Sequence, residues 1–474
     1  MKNKVIIGLA ALVAGFTSCK KEIDLLPTDS IVPANAFTTV NDLQQATNAA
    51  YYRYGWTSVM YVSALASDEV RFGANNSGAG QFVYRQQWNS DNTTGGDVIA
   101  AWGNMYSIID QSNRTLAVLD QIRAANAFED ARKRILTANL LALRGIAHFE
   151  LLRWYCKNYD PADPLGVPYS TRSSLTGTPP RNTVAEAVAG IEADLNQAVS
   201  LLPAVTPATF FDTVLNQISV KGFQARVALY KREWQRAADL ANEVITSNVR
   251  PLQTGTNFLN IWNDQNRVGE TLVRLHFNTS TAAGAIWTGT DGTLQFQPSN
   301  KLFNTFAAND IRTTAYFGVG SAANGIATGQ RFINKFFISA RGGRVVDPKC
   351  MRISEMYLIR AEALAELNNL TGAADAINTL RAARITGYAP VTYASRQDAI
   401  DDIMLERYKE LAFEGFRFFD LKRKGLDVSR DPSDVDGGAN SLWLRLPANN
   451  YRFILPIPAY ELQANGSMVQ NPGY

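Results

Sequence analysis

The chain has 474 residues, is 46% hydrophobic and 19% charged, and carries a formal net charge of +3. This composition is globular and long enough for a large core. A near-neutral balance with no basic stripe interleaved with aromatics excludes a nucleic-acid binder. Only two histidines occur, His148 and His276, which excludes a histidine-rich metal site or a multi-histidine relay.

Met1 to Ser18 reads as a signal peptide. Lys2 and Lys4 form a basic start, and Val5 to Phe16 is apolar but shorter than the roughly 20 residues that span a bilayer. Phe16-Thr17-Ser18 places small residues directly before Cys19, the arrangement of a bacterial lipobox, so Cys19 is the expected lipid-attachment site. Residues 19–36 then form the lipidated tether and opening segment, beginning with the charged run Lys20-Lys21-Glu22-Ile23-Asp24. With Cys19 acylated, Cys156 and Cys350 remain, both in helical, apolar contexts that suit unpaired core thiols.

Residues 37–474 read as one helical body. Leu43–Tyr54 and Trp102–Ile122 have helical patterns, whereas Ser67–Gly96 mixes Gly, Asn, Ser and aromatics without period. Leu140–Tyr155 and Val184–Leu202 form a predicted hairpin across the Pro- and Gly-rich loop 157–182. An internal repeat follows. Ala225-RVALYKREWQR-Ala237-Ala238-Asp239 aligns without gaps to Ala361-EALAELNNLTG-Ala373-Ala374-Asp375, at an offset of 136 residues. Each copy is two helices around a short turn, with alanines where the helices cross, which is a tetratricopeptide-like hairpin. Helical repeats are thus placed within 100–250 and 350–424. They flank a loop-rich insert, 251–349, with strand-like pieces at Leu272–Phe277 and Arg331–Phe337.

Downstream, Ser395 and Asp398 have the spacing that starts a helix. Gly415 breaks it, a second helix carries Phe416, Phe418, Phe419 and Leu421, and Lys422-Arg423-Lys424-Gly425 ends it. Glu406, Arg407, Glu410, Glu414, Arg417 and Asp420 lie among large hydrophobes, where charges pair, so they read as a structural lock and not a catalytic carboxylate pair.

No phosphate loop, nucleophile elbow or zinc-protease motif occurs, and Gly318-Val-Gly320 is followed by Asn324-Gly325 where a dinucleotide fold needs a helix. Asp431 to Gly437 lacks the alternating spacing of a calcium loop and reads as a solvated acidic turn. No catalytic residue, metal site or cofactor is therefore assigned. Sugar binding needs flat aromatic faces with Arg, Asn, Asp and Gln to meet the hydroxyls. The irregular segments supply these in Asp68, Arg71, Phe72, Asn75, Tyr84, Trp88, Asn89, Asn92 and Trp102, and in Trp262, Trp287, Phe296 and Gln297. Arg71, Trp88, Asn92 and Trp287 are the ligand-binding candidates. The two tryptophans sit between Gly, Asn, Gln and Thr and are expected to be partly exposed on one face.

The wording of several segments is that of a family. Glu406–Arg423 (ERYKELAFEGFRFFDLKR), DLLPTDSI with Phe37 and VNDLQQATNAAYY, Arg144–Tyr155, Arg352 to Glu366, and the closing ILPIPAYELQANGSMVQNPGY resemble the SusD/RagB lipoproteins. The sequence departs at Gly466-Ser467, where the family commonly has proline after Asn465. The resemblance implies a mainly α fold: a tetratricopeptide-like superhelix with a loop-rich ligand face carrying a few short strands. It also implies a non-enzymatic, lipid-anchored protein of the cell outer membrane, facing the surface. Such a protein captures oligosaccharides and passes them to a SusC-like TonB-dependent transporter. Peptide cargo, or a scaffold role for the helical repeats, are the alternative readings.

Overall fold

A computed structural model describes residues 37–474 apart from 158, 175, 265–268, 277–282 and 290. The expected signal peptide, 1–18, and the expected lipid-attachment site, Cys19, lie outside the described residues. Thirteen helices of six residues or more dominate those that are described. Their starts follow local chemistry. Helix α1 (Val40–Tyr52) opens with a capping box between Thr39 and Asp42, and α2 (Trp56–Ala66) is buried nearly all round. Then come α3 (Gly96–Ala117), α4 (Ala127–Tyr155) and α5 (Val184–Leu201), the last capped by Thr183 and Glu186. Helix α4 is long and apolar enough to cross a bilayer, yet 89% of its most apolar window is buried, because α1, α3 and α5 pack around it. Arg144 ties this bundle together: it donates to both Asp194 oxygens on α5 (2.8 and 2.6 Å) and to Asn113 Oδ1 on α3 (2.9 Å). His148, one turn along, is neutral, since burial pushes its imidazole down to about 3.

The repeat is present in the fold. Helices α6 (Gln217–Lys231) and α7 (Trp234–Thr246) form one hairpin, and α9 (Ile353–Glu366) and α10 (Leu370–Ala382) form the other. Between the two hairpins in sequence lies α8 (Gly255–Trp262). Even the turn is repeated. Arg232 and the equivalent Asn368 both adopt left-handed backbone with φ 61°. Asparagine tolerates that conformation; arginine holds it at a cost of about 1–2 kcal/mol. Ala238 and Ala374 are buried where the hairpin helices cross. Ala374→Leu is therefore expected to lower stability by about 1–3 kcal/mol, read as a shifted denaturation midpoint, because overpacking forces the helices apart. An unchanged midpoint would contradict the crossing.

Helices α11 (Arg396–Glu410), α12 (Arg417–Lys424) and α13 (Ala459–Ala464) complete the chain. Ser395 caps α11, and Gly425 ends α12 at φ 63°. The strands are short and pair in twos, all antiparallel. They include β1 (Val70–Phe72) with β3 (Phe296–Pro298), β2 (Thr271–Arg274) with β6 (Lys349–Arg352), and β4 (Phe317–Val319) with β5 (Arg331–Ile333). Gly318 lies within β4, not in a phosphate-binding turn.

The lock is larger than its sequence segment. Glu410 accepts from Arg312, Arg352 and Arg384 at 2.8–3.0 Å, and all four side chains are fully buried. Glu414 holds Arg352 and Lys335, Glu406 holds Arg312 and Arg381, and Glu270 bridges Arg352 and Arg384. Desolvation pushes the Glu410 carboxyl up, but Arg384, Arg352 and Arg312 overcome it and hold it well below the usual carboxylate range. A second cluster joins Arg407 to Asp420, and Asp420 and Glu362 to Arg423, linking α9, α11 and α12. At the start of α12, Arg417 donates to Asp68 at 2.7 and 3.0 Å, and Lys301 Nζ meets the same carboxylate at 2.7 Å. Asp68 lies two residues before β1. The lock thus fixes the loop-rich side against the helical body.

Candidate ligand-binding face

Strands β1 and β3 join the two irregular segments that the sequence nominated separately, placing Arg71 opposite Gln297. Both strand ends are held from behind: Ser299 donates its N–H to the Glu69 carbonyl (2.9 Å) and its Oγ to the Asp68 carbonyl (2.7 Å). Strand β5 packs alongside, and Gln297 Nε2 donates to Gln330 Oε1 at 2.9 Å. Arg331 follows, its guanidinium 3.4 Å from the centre of the Phe303 ring.

Arg71 and Arg331 share an electrostatic oddity. Among the described residues neither has a carboxylate within ion-pair range, and the buried Nε of Arg71 has no acceptor. The adjacent Asp68 is spent on Arg417 and Lys301, so Arg71 does not pair with its own neighbour. Burial, followed by the Arg71 charge, pushes the Arg331 guanidinium down. Two guanidiniums without an ion-pair partner therefore share the neighbourhood of Asp434, offering N–H donors to hydroxyl or carboxylate oxygens.

Aromatic surface lies at the other side of β1. Phe72 is half-buried, and the Arg85 guanidinium sits between its ring (5.8 Å) and that of Trp443 (5.2 Å). Trp443 Nε1 donates to Asp436 Oδ1 at 2.8 Å, Arg85 pairs with the other oxygen of that carboxylate, and Leu442 beside it is 91% exposed. Trp443 was missed in the sequence, although it sits among Gly, Asn and Ser by the same criterion that nominated Trp88 and Trp287.

Those two tryptophans are corrected. Trp88 and Trp287 are both fully buried, so neither offers a face to solvent. Trp88 donates Nε1 to Tyr474 Oη at 2.8 Å and lies under Arg452, pinning the C-terminal tail. Trp287 packs against Phe413 with ring centres 6.0 Å apart. Polar flanking residues misled because the rings turn inward while the backbone turns out. Asn92 is exposed in the 91–95 turn. Trp102 and Trp262 are buried, the first bonded to Glu461 and the second beneath Lys335 and Arg352.

The acidic turn is also corrected. Asp434 is buried, not solvated, and accepts N–H groups from Asn300 (2.7 Å) and Lys301 (3.1 Å), capping a single helical turn beside β1. Cys156 and Cys350 are buried and unpaired; Cys350 lies in a strand. The carboxylates of the lock are consumed by ion pairs, and none faces another across an open cleft as a hydrolase would need.

A superhelix of helical hairpins bearing a loop-built face of half-exposed aromatics and unpaired arginines defines a binding protein on a repeat scaffold. Two family models divide the chain. One described as the SusD family matches residues 312–474, and one described as "starch-binding associating with outer membrane" matches residues 21–229. The chain belongs to the SusD/RagB family. It is 25% identical to SusD-like protein P2 of Formosa agariphila, with each chain covered in full. Its fold matches a SusD superfamily protein from Bacteroides thetaiotaomicron at TM-score 0.80 (24% identity; 92% of this chain and 100% of that one). It also matches surface glycan-binding protein A from Bacteroides uniformis at TM-score 0.70 (19% identity; 91% and 99%).

Proposed function

We propose that this protein is a lipid-anchored, non-enzymatic outer-membrane protein that captures oligosaccharides on the β1–β3–β5 face. It then passes them to a SusC-like TonB-dependent transporter. The observation that carries the reading is the presence, on the paired strands β1, β3 and β5, of Arg71 and Arg331 without an ion-pair partner among the described residues, with the Phe72–Arg85–Trp443 stack at the other side of β1. A sugar ring presents C–H groups to an aromatic face and hydroxyls to arginine donors, which is the pairing found here. The family description as starch-binding and outer-membrane associated agrees with it. Asn92, exposed in the 91–95 turn, is kept as a separate candidate ligand contact.

Trp443→Ala and Arg71→Ala are each expected to weaken oligosaccharide binding by about tenfold, or about 1.4 kcal/mol, measured by titration calorimetry after a glycan array has named a ligand. Trp443 is half-exposed, so its removal should cost stability only about 1 kcal/mol. Full affinity in both variants would exclude this face.

Anchoring is tested separately. Cys156 and Cys350 are buried, so Cys19 is the thiol available for acylation. Cys19→Ala should abolish labelling by a fatty-acid analogue and release the protein from the membrane fraction; unchanged labelling would refute the anchor.

A further inference from the structure

A second cleft lies at the other end of α12 from the Arg417–Asp68 ion pair, about 12 Å away along the eight-residue helix. Here the C-terminal ends of α6 and α12 meet the chain leaving α4. Two adjoining cavities of about 410 and 280 Å³ share Tyr230, Arg232, Arg423 and Lys424 as walls.

The charge in this cleft is unevenly satisfied. Arg423 is spent on Glu362 and Asp420, Lys424 on Glu366, and Lys231 on Glu192 and Glu233. Among the described residues, Lys157, Arg232 and Lys422 have no carboxylate within ion-pair range, although Asp160, itself engaged elsewhere, also lines the larger cavity. Lys422 donates one bond, to the Arg153 carbonyl at 2.7 Å, and an ammonium has three to give. Arg232 reaches only the Arg423 carbonyl, at 3.4 Å. It does so from the left-handed turn position where the second repeat carries Asn368.

Two further groups are unsatisfied in the same walls. The hydroxyls of Tyr159 and Tyr230 are buried without a hydrogen-bond partner, although their rings pack edge to face at 4.9 Å. Helix C-termini attract cations, and that alone accounts for a lysine or arginine here. It does not account for three cations without a carboxylate partner lining one cleft, of which Lys157 and Arg232 are exposed to solvent and Lys422 is half-buried. Trp234, half-buried, walls the smaller cavity.

We propose that this cleft is a second saccharide site, selective for a sulfate or carboxylate on an acidic oligosaccharide. Lys422, Arg232 and Lys157 supply the charge, and Trp234 lies against the adjoining ring. Cations clustered in one cleft suit an oxyanion. The cavity exceeds what a lone inorganic ion fills, and the tryptophan suits a sugar ring. Burial pushes the Lys422 ammonium down to about 7, so a bound anion would retain a proton otherwise half lost near neutrality. The saccharide class of the ligand rests on the proposed function; the charge selectivity rests on this cleft alone.

The test is titration of the full chain with dextran sulfate oligosaccharides, with unsulfated dextran of the same length as control, at low and high salt. The wild type is expected to bind the sulfated probe in a salt-sensitive manner. Lys422→Gln and Arg232→Gln should each weaken that binding by about tenfold or more. Asp130→Ala, at the exposed start of α4, should leave it unchanged, whereas Trp443→Ala is read with the unsulfated probe, so failure of the loop-built face and failure of this cleft are read independently. Lys157→Gln, at an exposed position, provides the same readout should a buried substitution impair folding. Absence of dextran sulfate binding by the wild type, or equal binding by the Lys422→Gln/Arg232→Gln double variant, would overturn the proposal. So would cleft-dependent binding to phosphatidylglycerol vesicles with no binding of either dextran, which would assign the site to a lipid headgroup.

Discussion

Glu410→Ala is expected to destabilise the protein by about 3–5 kcal/mol, far more than the loss of a solvent-exposed carboxylate costs. The reason is what it leaves behind. Arg312, Arg352 and Arg384 converge on this carboxylate with no solvent exposure, and truncation strands three buried guanidiniums around a void. The exposed Arg134–Asp130 pair makes the control: Asp130→Ala should shift the midpoint by less than about 0.5–1 kcal/mol, since solvent already screens it. Denaturant unfolding of both variants measures the contrast. Comparable midpoints would mean that the buried network contributes nothing beyond a surface pair.

The same network sets the acid limit. Desolvation opposes ionisation of Glu406, but Arg312 and Arg381 prevail and hold it at about 2, against an ordinary value of 4.5. The unfolded chain therefore takes up this proton first as pH falls. The stabilisation is fully present above the unfolded value and is lost as pH drops through about 2. Stability should thus decline from about pH 5 downward, at up to about 1.4 kcal/mol per pH unit for each such carboxylate.

Trp88→Ala is the second large effect, at about 3–5 kcal/mol. The ring is fully buried and its Nε1 holds the Tyr474 hydroxyl, which in turn donates to the Ile454 carbonyl at 3.0 Å. Removing it opens a cavity and frees the C-terminal tail together. Trp88→Phe keeps most of the apolar surface and gives up the indole bond, so about 1 kcal/mol should suffice for that part. Oligosaccharide affinity of Trp88→Ala, measured well below its melting temperature, should stay near wild type. That is the opposite of Trp443→Ala, and stable folding with lost binding in Trp88→Ala would restore the platform role to Trp88.

Much of the body was legible before any coordinate. The two hairpins begin at Gln217 and Ile353, separated by the repeat offset of 136 residues. Helical periodicity encodes which face is buried turn by turn, and capping residues mark where helices start. The charged segment of α11 and α12 was also recognisable as a lock, since charges among large hydrophobes need partners. Its partners were not recognisable. Glu270, Arg312, Lys335, Arg352 and Arg384 come from other segments of the chain, and no local pattern tells which distant cation will meet which carboxylate.

The ligand face shows the same division. Sequence by itself determined that the aperiodic loops, where the ligand face is proposed, combine aromatic, amide and arginine side chains outside a helical stripe. Tertiary structure decided which of those side chains face solvent. Pairing of β1 with β3 brought Arg71 beside Gln297 and, through β5, beside Arg331. The tail and Phe413 covered Trp88 and Trp287, while the 436–443 loop presented Trp443 instead. In a helix, 3.6 residues per turn fix side-chain direction relative to the core; a loop has no period, so direction there is set by contacts hundreds of residues away.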